Sequence, residues 1–393
     1  MNYCYKTIDD WIFNADATSL YPTAMVNYKY PTGSGRWLNE TEIAEIDVNN
    51  LKTGIYTVSI KCNKDLIVPI LPYKSPNGGL YWNLIDRTAT YTSADLENAL
   101  RFGYTIEKIH KALVYDETAD VFTDYIMKCF KIKTDNEDNP VKRQIGKILM
   151  NALYGKMLEK ARFDEGRICN NVDDYYDFIE SFTTTDVMFL NEKIYIVGEP
   201  LNEMIKDKRI RKPSQIGTFI LAYSRRHMLD LMSAMCPKLD EHFFTYTDTD
   251  SLHIKNYLLP GLEEKGLLKK GLGMLSDDAK GGKIFKEINL APKLYMYLCL
   301  MPNGEIKTVM KSKGIPTNYL TEKLFIEADE LDDEDKCIMM TSRLKKIGLG
   351  RNLQLDWRKY DAFNILSVDM ERTFYKTKWE GMDLKDNLWF PKK

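Results

Sequence analysis

The stretch Phe244-Thr245-Tyr246-Thr247-Asp248-Thr249-Asp250-Ser251-Leu252-His253 sets two aspartates, one threonine apart, between apolar and aromatic flanks. The flanks favour extended chain, so the spacing predicts a β-hairpin with a tight turn at Asp248-Thr249-Asp250. Such a turn brings two carboxylates to its tip, where they repel unless a cation neutralises them. Hard oxygen ligands on a rigid turn suit Mg²⁺, which takes phosphate oxygens for the rest of its shell. Taken alone, Asp-Thr-Asp is more often an Asx-rich surface turn. Its company decides.

The chain has 393 residues, enough for two or three subdomains, and 44% hydrophobic with 12% aromatic residues indicates a folded protein. No apolar run of about 18 residues or more marks a membrane span, and the first residues lack a signal core. A cytoplasmic location, with no membrane partner, is the expectation. Seven cysteines without a CxxC pair read as reduced structural thiols, and neither they nor the histidines suggest zinc. The net charge of −2 gives no global basic field. Cations do gather locally, at residues 128–147, 206–226 and 343–351, which is enough to follow a phosphate backbone.

Upstream, Trp11-Ile12-Phe13 reads as a short strand leading to Asp16, and Pro22 suits a first helical turn, placing Tyr21 near a helix N-terminus. Strands are expected at residues 54–60, 66–70 and 80–82, and a helix from Thr92 to near Gly103. A helix over residues 121–133 precedes a second over 141–153 that stops near Gly155. On that second helix Arg143, Lys147, Asn151 and Tyr154 share one face, opposite Ile145, Ile148, Leu149 and Ala152. Aligned cations can grip a polyphosphate while the tyrosine packs on a base or sugar, although a solvated basic face has the same pattern. A long helix over 217–235 carries Arg225, Arg226 and His227, the last read as a surface residue. Residues 261–282 read as loop. The stretch 291–298 reads as a strand with Lys293 and Tyr295 on one face, and Lys311 and Lys313 add cations beyond it.

Four of these stretches, in order, resemble motifs of family B DNA polymerases. Asp16-Ala-Thr-Ser-Leu-Tyr-Pro22 is similar to the first palm motif. Lys147-Ile-Leu-Met-Asn151-Ala-Leu-Tyr154-Gly155 is similar to the fingers motif, with Ala152 where serine is common. Tyr246-Thr-Asp248-Thr-Asp250-Ser251 resembles the Tyr-x-Asp-Thr-Asp-Ser motif, and Lys293-Leu-Tyr295 the Lys-x-Tyr motif. The intervening lengths are similar to those of the protein-primed subgroup with its terminal-protein-region insertions.

That resemblance implies an α+β right-hand architecture of palm, fingers and thumb around an antiparallel palm sheet. The expected division is palm at 1–27, a first insertion at 28–120, fingers at 121–165, a second insertion at 166–213, palm at 214–318 and thumb at 319–393. It implies DNA-directed DNA synthesis by two-metal phosphoryl transfer in viral, phage or linear-plasmid replication, with two Mg²⁺ ions, or Mn²⁺ in their place. Asp16, the Ala17 carbonyl, Asp248 and Asp250 are the implied metal ligands, with Asp248 bridging alongside Asp16. Ser19, Leu20, Tyr21, Arg143, Lys147, Asn151, Tyr154 and Gly155 would hold the incoming dNTP, Tyr21 acting as a steric gate. Lys293, Tyr295, Thr249, Lys311 and Lys313 would hold primer–template DNA. Only 15 residues precede Asp16, where the family carries its 3′–5′ exonuclease. The expectation is therefore a split polymerase with a separately encoded exonuclease or N-terminal subunit, and the insertions are compatible with a terminal protein primer. Two alternatives stand beside synthesis: a catalytically idle polymerase-like subunit binding DNA or a partner, and a related transferase such as a reverse transcriptase.

Overall fold

Ile12, Ala15 and Ala17 are completely buried, and the strand that carries them, Ile12–Ala17, lies in the middle of the main antiparallel sheet. The computed structural model describes residues 2–4, 10–74, 80–159, 165–190, 193–200, 212–291, 293–312, 320–329, 337–347, 367–375, 382–385 and 388–391. The sheet runs in the order Phe244–Asp248, Ser251–Lys255, Ile12–Ala17, Lys283–Ala291, Leu294–Leu300, Ile306–Ser312. Two short strands extend it: Asn2–Cys4 pairs with Lys283–Ala291, and Leu275–Asp277 pairs with the end of Ile12–Ala17. The architecture is α+β, as expected.

One face of the sheet is covered by the helix Ser214–Met235, whose 22 residues span about 33 Å. Its C-terminal half buries Met228, Leu229, Leu231 and Met232 with Phe13, Ala15, Leu252 and Ile254 of the sheet. Its N-terminal half buries Ile216, Phe219 and Ile220 with Met25, Phe122, Ile126 and Met150. One helix thus belongs to two cores, and it fixes the helices Leu20–Asn27, Thr123–Thr134 and Pro140–Leu158 relative to the sheet.

The helix Pro140–Leu158 does not stop at Gly155 as expected. Gly155 has open space where a side chain would be, so it is an ordinary helical residue and no C-cap. The anticipated apolar side is also not the buried one. Ile145, Ile148 and Leu149 are exposed, whereas Gly146 and Met150 are buried. A Cβ on Gly146 would lie 2.9 Å from the Cys129 carbonyl oxygen and 2.9 Å from the Lys133 nitrogen. The missing side chain lets the two helix backbones touch and brings Lys133 beside this helix.

Between Tyr28 and Tyr115 a four-stranded sheet, ordered Arg36–Trp37, Thr105–Val114, Gly54–Lys61, Arg87–Thr92, packs against the helix Ser93–Arg101. Thr92 caps that helix by accepting from the Asp95 N–H. Leu80–Trp82 is a strand as expected. Residues 66–70 are not a strand. Leu66, Val68 and Ile70 are buried, but Pro69 offers no donor and Ile67 N–H bonds to the Leu239 carbonyl. The span 261–282, read as loop, begins inside a short helix, Leu259–Glu264, and contains the strand Leu275–Asp277.

Residues 159–212 and 337–375 form a separate compact unit, and the rest of the chain forms the other. In the smaller unit Lys193–Pro200 lies between Glu165–Cys169 and Phe182–Leu190. The helix Val172–Ser181 buries Phe178 against these strands. The antiparallel pair Cys337–Ile347 and Ser367–Tyr375 belongs to the same unit. The span 319–393 is therefore shared between units, with the helix Glu322–Asp329 assigned to the larger one. Cys62, Cys129, Cys169, Cys236 and Cys299 are free and buried. Among the described residues no helix is long and apolar enough to cross a membrane.

The helix Ser214–Met235 holds Ser93–Arg101 through arginines. Arg225 donates from Nε and Nη2 to both oxygens of buried Asp95, each at 2.9 Å, and Arg226 donates to the more exposed Glu97. Truncating Arg225 leaves a buried carboxylate without its cation. Arg225→Ala is expected to lower stability by about 2–3 kcal/mol, and Arg226→Ala by under about 1 kcal/mol. Equal losses in urea unfolding would contradict this assignment of weight.

Candidate active site

Strand register delivers the acidic residues to one place. The hairpin pairs Tyr246 with His253, Thr247 with Leu252 and Asp248 with Ser251, and Ser251 then pairs with Asp16 on the neighbouring strand. The turn is closed by Asp250 N–H donating to the Asp248 carbonyl at 2.8 Å, a γ-turn centred on Thr249 at φ 62°. A β-branched residue at positive φ costs about 1–3 kcal/mol and persists only where its surroundings hold it. The hold is visible: Ala17 N–H donates to the Asp250 carbonyl at 2.7 Å.

Asp16 and Asp250 now crowd each other. The Asp16 carboxyl is pushed up to about 6, first by burial, then by the charges of Asp250 and Asp278, with Lys147 and Lys133 pulling it back. Asp250 is raised as well, by burial first and then by Asp248. Asp248 faces elsewhere. Lys293 Nζ donates to its carboxylate at 2.5 Å, and Thr249 Oγ1 donates to it at 3.1 Å. The sequence reading paired Asp16 with Asp248. The acid whose charge raises Asp16 most is instead Asp250, and Asp248 is paired with Lys293. Among the described residues no three acidic, histidine or cysteine side chains form a ready-made metal cluster.

Cations face these acids from the helices. Burial lowers the Lys133 ammonium, with Lys147 and Arg143 lowering it further and Asp16 opposing them. Lys133 Nζ also donates to Ser19 Oγ at 3.3 Å. Ser19 sits at φ 56°, immediately before the helix Leu20–Asn27. The Tyr21 ring packs on Tyr154 with centroids 4.2 Å apart. Burial, then Tyr154, pushes the Tyr21 hydroxyl above its ordinary range. Leu20 is buried in the central core, so only its backbone is available to a ligand. Asn151 is half-buried, and Arg143, Lys147 and Gly155 are exposed.

Lys293 does not share the strand alternation predicted for it. It precedes Leu294–Leu300 at φ 62°, and its N–H donates to the Tyr246 hydroxyl at 3.0 Å. Tyr295 packs on Tyr246 at 4.7 Å and pairs across the sheet with exposed Lys311. Lys313 lies outside the described residues.

Three contributors were missed in the sequence. Lys133 reaches the site because Gly146 lets its helix approach. Asp278 adds a third charge near Asp16, and its N–H donates to the Asn14 carbonyl at 3.0 Å; nothing in its loop-like surroundings marked it. His227, read as a surface residue, is half-buried with Nε2 2.8 Å from the Gly273 carbonyl oxygen. Gly273, at φ +72°, packs so closely that a Cβ would lie 2.5 Å from Thr23 and 2.7 Å from His227. Gly273 N–H donates to the Thr18 carbonyl and Thr18 N–H to the Met274 carbonyl, both at 2.9 Å. His227 thus braces the loop behind Asp16.

With this geometry in place, comparison with known proteins gives a consistent answer. Residues 2–235 match the family described as DNA polymerase type B, organellar and viral, and the chain belongs to that family. A DNA polymerase of Kluyveromyces lactis is 28% identical over 333 residues, covering 79% of this chain and 31% of the yeast protein. A DNA polymerase of Bacillus phage Nf is 24% identical over 349 residues, covering 84% of this chain and 51% of the phage protein. The chain thus spans about a third of the yeast relative's length and about half of the phage relative's. Phi29 DNA polymerase, solved with primer–template DNA and incoming nucleotides, superposes with a TM-score of 0.58 at 18% identity, covering 95% of this chain and 59% of that one. The fold is that of the right-hand polymerases.

The raised Asp16 carboxyl has a measurable consequence for stability. An unfolded aspartate ionises near pH 3.9, so between about pH 4 and 6 the native state holds a proton that the unfolded state has lost. Stability therefore falls as pH rises through that window. At this half-exposed position solvent screening reduces the cost at pH 7 to about 1 kcal/mol. Asp16→Asn is expected to be the more stable protein at pH 7 in metal-free buffer, with the advantage gone below about pH 4. Urea titrations at both pH values check it, and a less stable variant at pH 7 would show that Asp16 is not under this strain.

Proposed function

We propose that this chain catalyses template-directed addition of deoxynucleotides to a primer 3′-hydroxyl. The observation that carries the reading is Asp16 crowded by Asp250 on a half-buried sheet end, with Lys147 and Lys133 facing them. Two like charges that close favour a divalent cation, and an all-oxygen donor set suits Mg²⁺, or Mn²⁺ in its place. Asp16 and Asp250, with the Ala17 carbonyl, are assigned to hold two such ions, and Asp248 joins once it leaves Lys293. Bound there, the ions would lower the pKa of the primer hydroxyl and offset charge on the leaving pyrophosphate.

The chain's own residues do the positioning on which phosphoryl transfer depends. Lys147, Lys133 and Arg143 form a cationic face for the triphosphate, and Lys133 holds Ser19 in place at the helix start. Tyr21 and Tyr154 form an aromatic floor under the sugar and nascent base pair, flanked by Asn151 and Gly155. A 2′-hydroxyl would meet the Tyr21 ring, which makes Tyr21 the steric gate. Lys293, Thr249, Tyr295 and Lys311 line the side where primer–template DNA would lie. Primer–template DNA and dNTPs are the partners that this reading requires. An exonuclease chain, a terminal protein primer and replication of viral or linear-plasmid DNA in a cytoplasmic setting are proposals supported by the family relationship.

Extension of a primed template with Mg²⁺ tests the reading. Asp250→Asn should lower the rate by at least about a hundredfold while leaving DNA affinity within about threefold; wild-type protein that binds DNA but never extends it would favour the idle polymerase-like subunit. Tyr21→Val should admit ribonucleotides at least about tenfold more readily. An unchanged preference for deoxynucleotides would take the gate away from Tyr21.

A further inference from the structure

The main sheet is joined unevenly. The strand Ile12–Ala17 is paired along its length with Ser251–Lys255, but it meets Lys283–Ala291 through one residue pair, Ile12 with Ile284. Beyond that antiparallel pair Lys283–Ala291 leaves Ile12–Ala17 and pairs with Leu294–Leu300 instead, so the two hairpins behave as separate arms. One arm carries Asp16, Asp248 and Asp250, and the other carries Lys293 and Tyr295 next to its turn, where Lys293 meets Asp248. The strand pair that joins the arms is distant from both ends: Asp16 lies about 13 Å from Ile12 along its strand, and Ala291 about 23 Å from Ile284. A shift of one arm against the other of an ångström or so would reach the chemistry, and such a misplacement can cost about a hundredfold in rate.

Between the arms sits a completely buried ionisable pair, His253 on the first arm and Glu287 on the second. His253 Nδ1 and Glu287 Oε1 are hydrogen-bonded, and Thr245 Oγ1 donates to Glu287 Oε2 at 2.5 Å. Both carboxylate oxygens are thus held by the arm opposite their own. The His253 ring packs between Tyr246 at 5.3 Å and Tyr295 at 5.4 Å. The Tyr246 hydroxyl in turn accepts from Lys293 N–H. The chain of contact runs from the buried pair, through Tyr246, to the residue that grips Asp248.

We infer that His253 and Glu287 are positioning residues that clamp the two arms and so set where Lys293 and Tyr295 hold the primer end. Burying an ionisable pair is a poor way to gain stability, since apolar replacements of similar size are often neutral or stabilising. Directional bonds between arms that share a single strand pair supply what apolar packing does not: a fixed spacing between them. The role in holding the primer rests on the polymerase reading above; the clamp itself does not.

The test uses the full chain and two readouts. In His253→Leu/Glu287→Met, amide hydrogen exchange should quicken by about tenfold or more along residues 283–291, the strand that carries Glu287, with residues 54–61 of the separate four-stranded sheet unchanged. In primer extension the same variant should raise KM for primer–template about tenfold while KM for dNTP stays within about twofold. Glu287→Gln keeps an oxygen for Thr245 and an N–H for His253, and should restore both values to near wild type. Wild-type exchange and primer KM in the folded apolar variant would overturn the inference and make the pair a core filling. Should that variant not fold, Thr245→Val removes one bond alone, and it overturns the inference if neither readout moves. A wild-type chain that does not extend primers refutes the polymerase reading, whereas the exchange experiment still decides the clamp.

Discussion

Repulsion between carboxylates at the end of an antiparallel sheet is the constraint on which the rest of the site depends. Ser251 pairs with Asp16, and the Ala17 N–H pins the Asp250 carbonyl. The backbone thus forces two acids together before any side chain has a choice. The surrounding structure opposes that repulsion without cancelling it. Lys147 and Lys133 lower the cost from the helix side, while burial and Asp278 raise it. On the polymerase reading, a site left strained in this way would favour a divalent cation with energy already stored in the fold. Among the described residues, three of the five non-glycine residues at positive φ, Ser19, Thr249 and Lys293, fall within it.

Holding such a site together takes stiffness behind it. The helix Ser214–Met235 supplies that by belonging to two cores at once, so sheet and fingers-like helices cannot move independently along its length. Small residues set the close approaches. Gly146 lets two helices touch, and Gly273 lets the loop behind Asp16 pass between Thr23 and His227. Neither position touches a candidate ligand group, yet each decides where a charged one stands.

What the sequence revealed follows from how local each feature is. The Asp248–Asp250 turn, the Asp16 strand end and the Arg143–Tyr154 helix face are short-range patterns, and local chemistry was enough to find them. Lys133, Asp278 and His227 escaped because their importance comes from tertiary neighbours: a glycine contact, a loop return and a backbone carbonyl. The failed strand at 66–70 has the same origin. Its apolar alternation is real, and Leu66, Val68 and Ile70 are buried, but Pro69 lacks a donor and no partner strand lies alongside among the described residues. Likewise Ile145, Ile148 and Leu149 look like a buried stripe, whereas contact through Gly146 and Met150 turned that helix the other way. Lys293 was recognised by type and misplaced by geometry, since its left-handed backbone breaks the period-two alternation.

That left-handed turn matters most for Asp248. Its carboxylate can be neutralised by the Lys293 ammonium or by a metal ion shared with Asp16 and Asp250, but the two cations repel each other and compete for the same oxygens. The described state has the lysine in possession. On the polymerase reading, drawing Asp248 toward Asp16 releases Lys293 close to where a primer phosphate would lie, and a phosphate offers the ammonium an equivalent partner. Primer binding and metal loading then favour each other without any change in the sheet, because each removes the other's competitor. The spacing between the two arms sets how well that exchange balances: too wide, and Lys293 loses Asp248 before a phosphate can take its place.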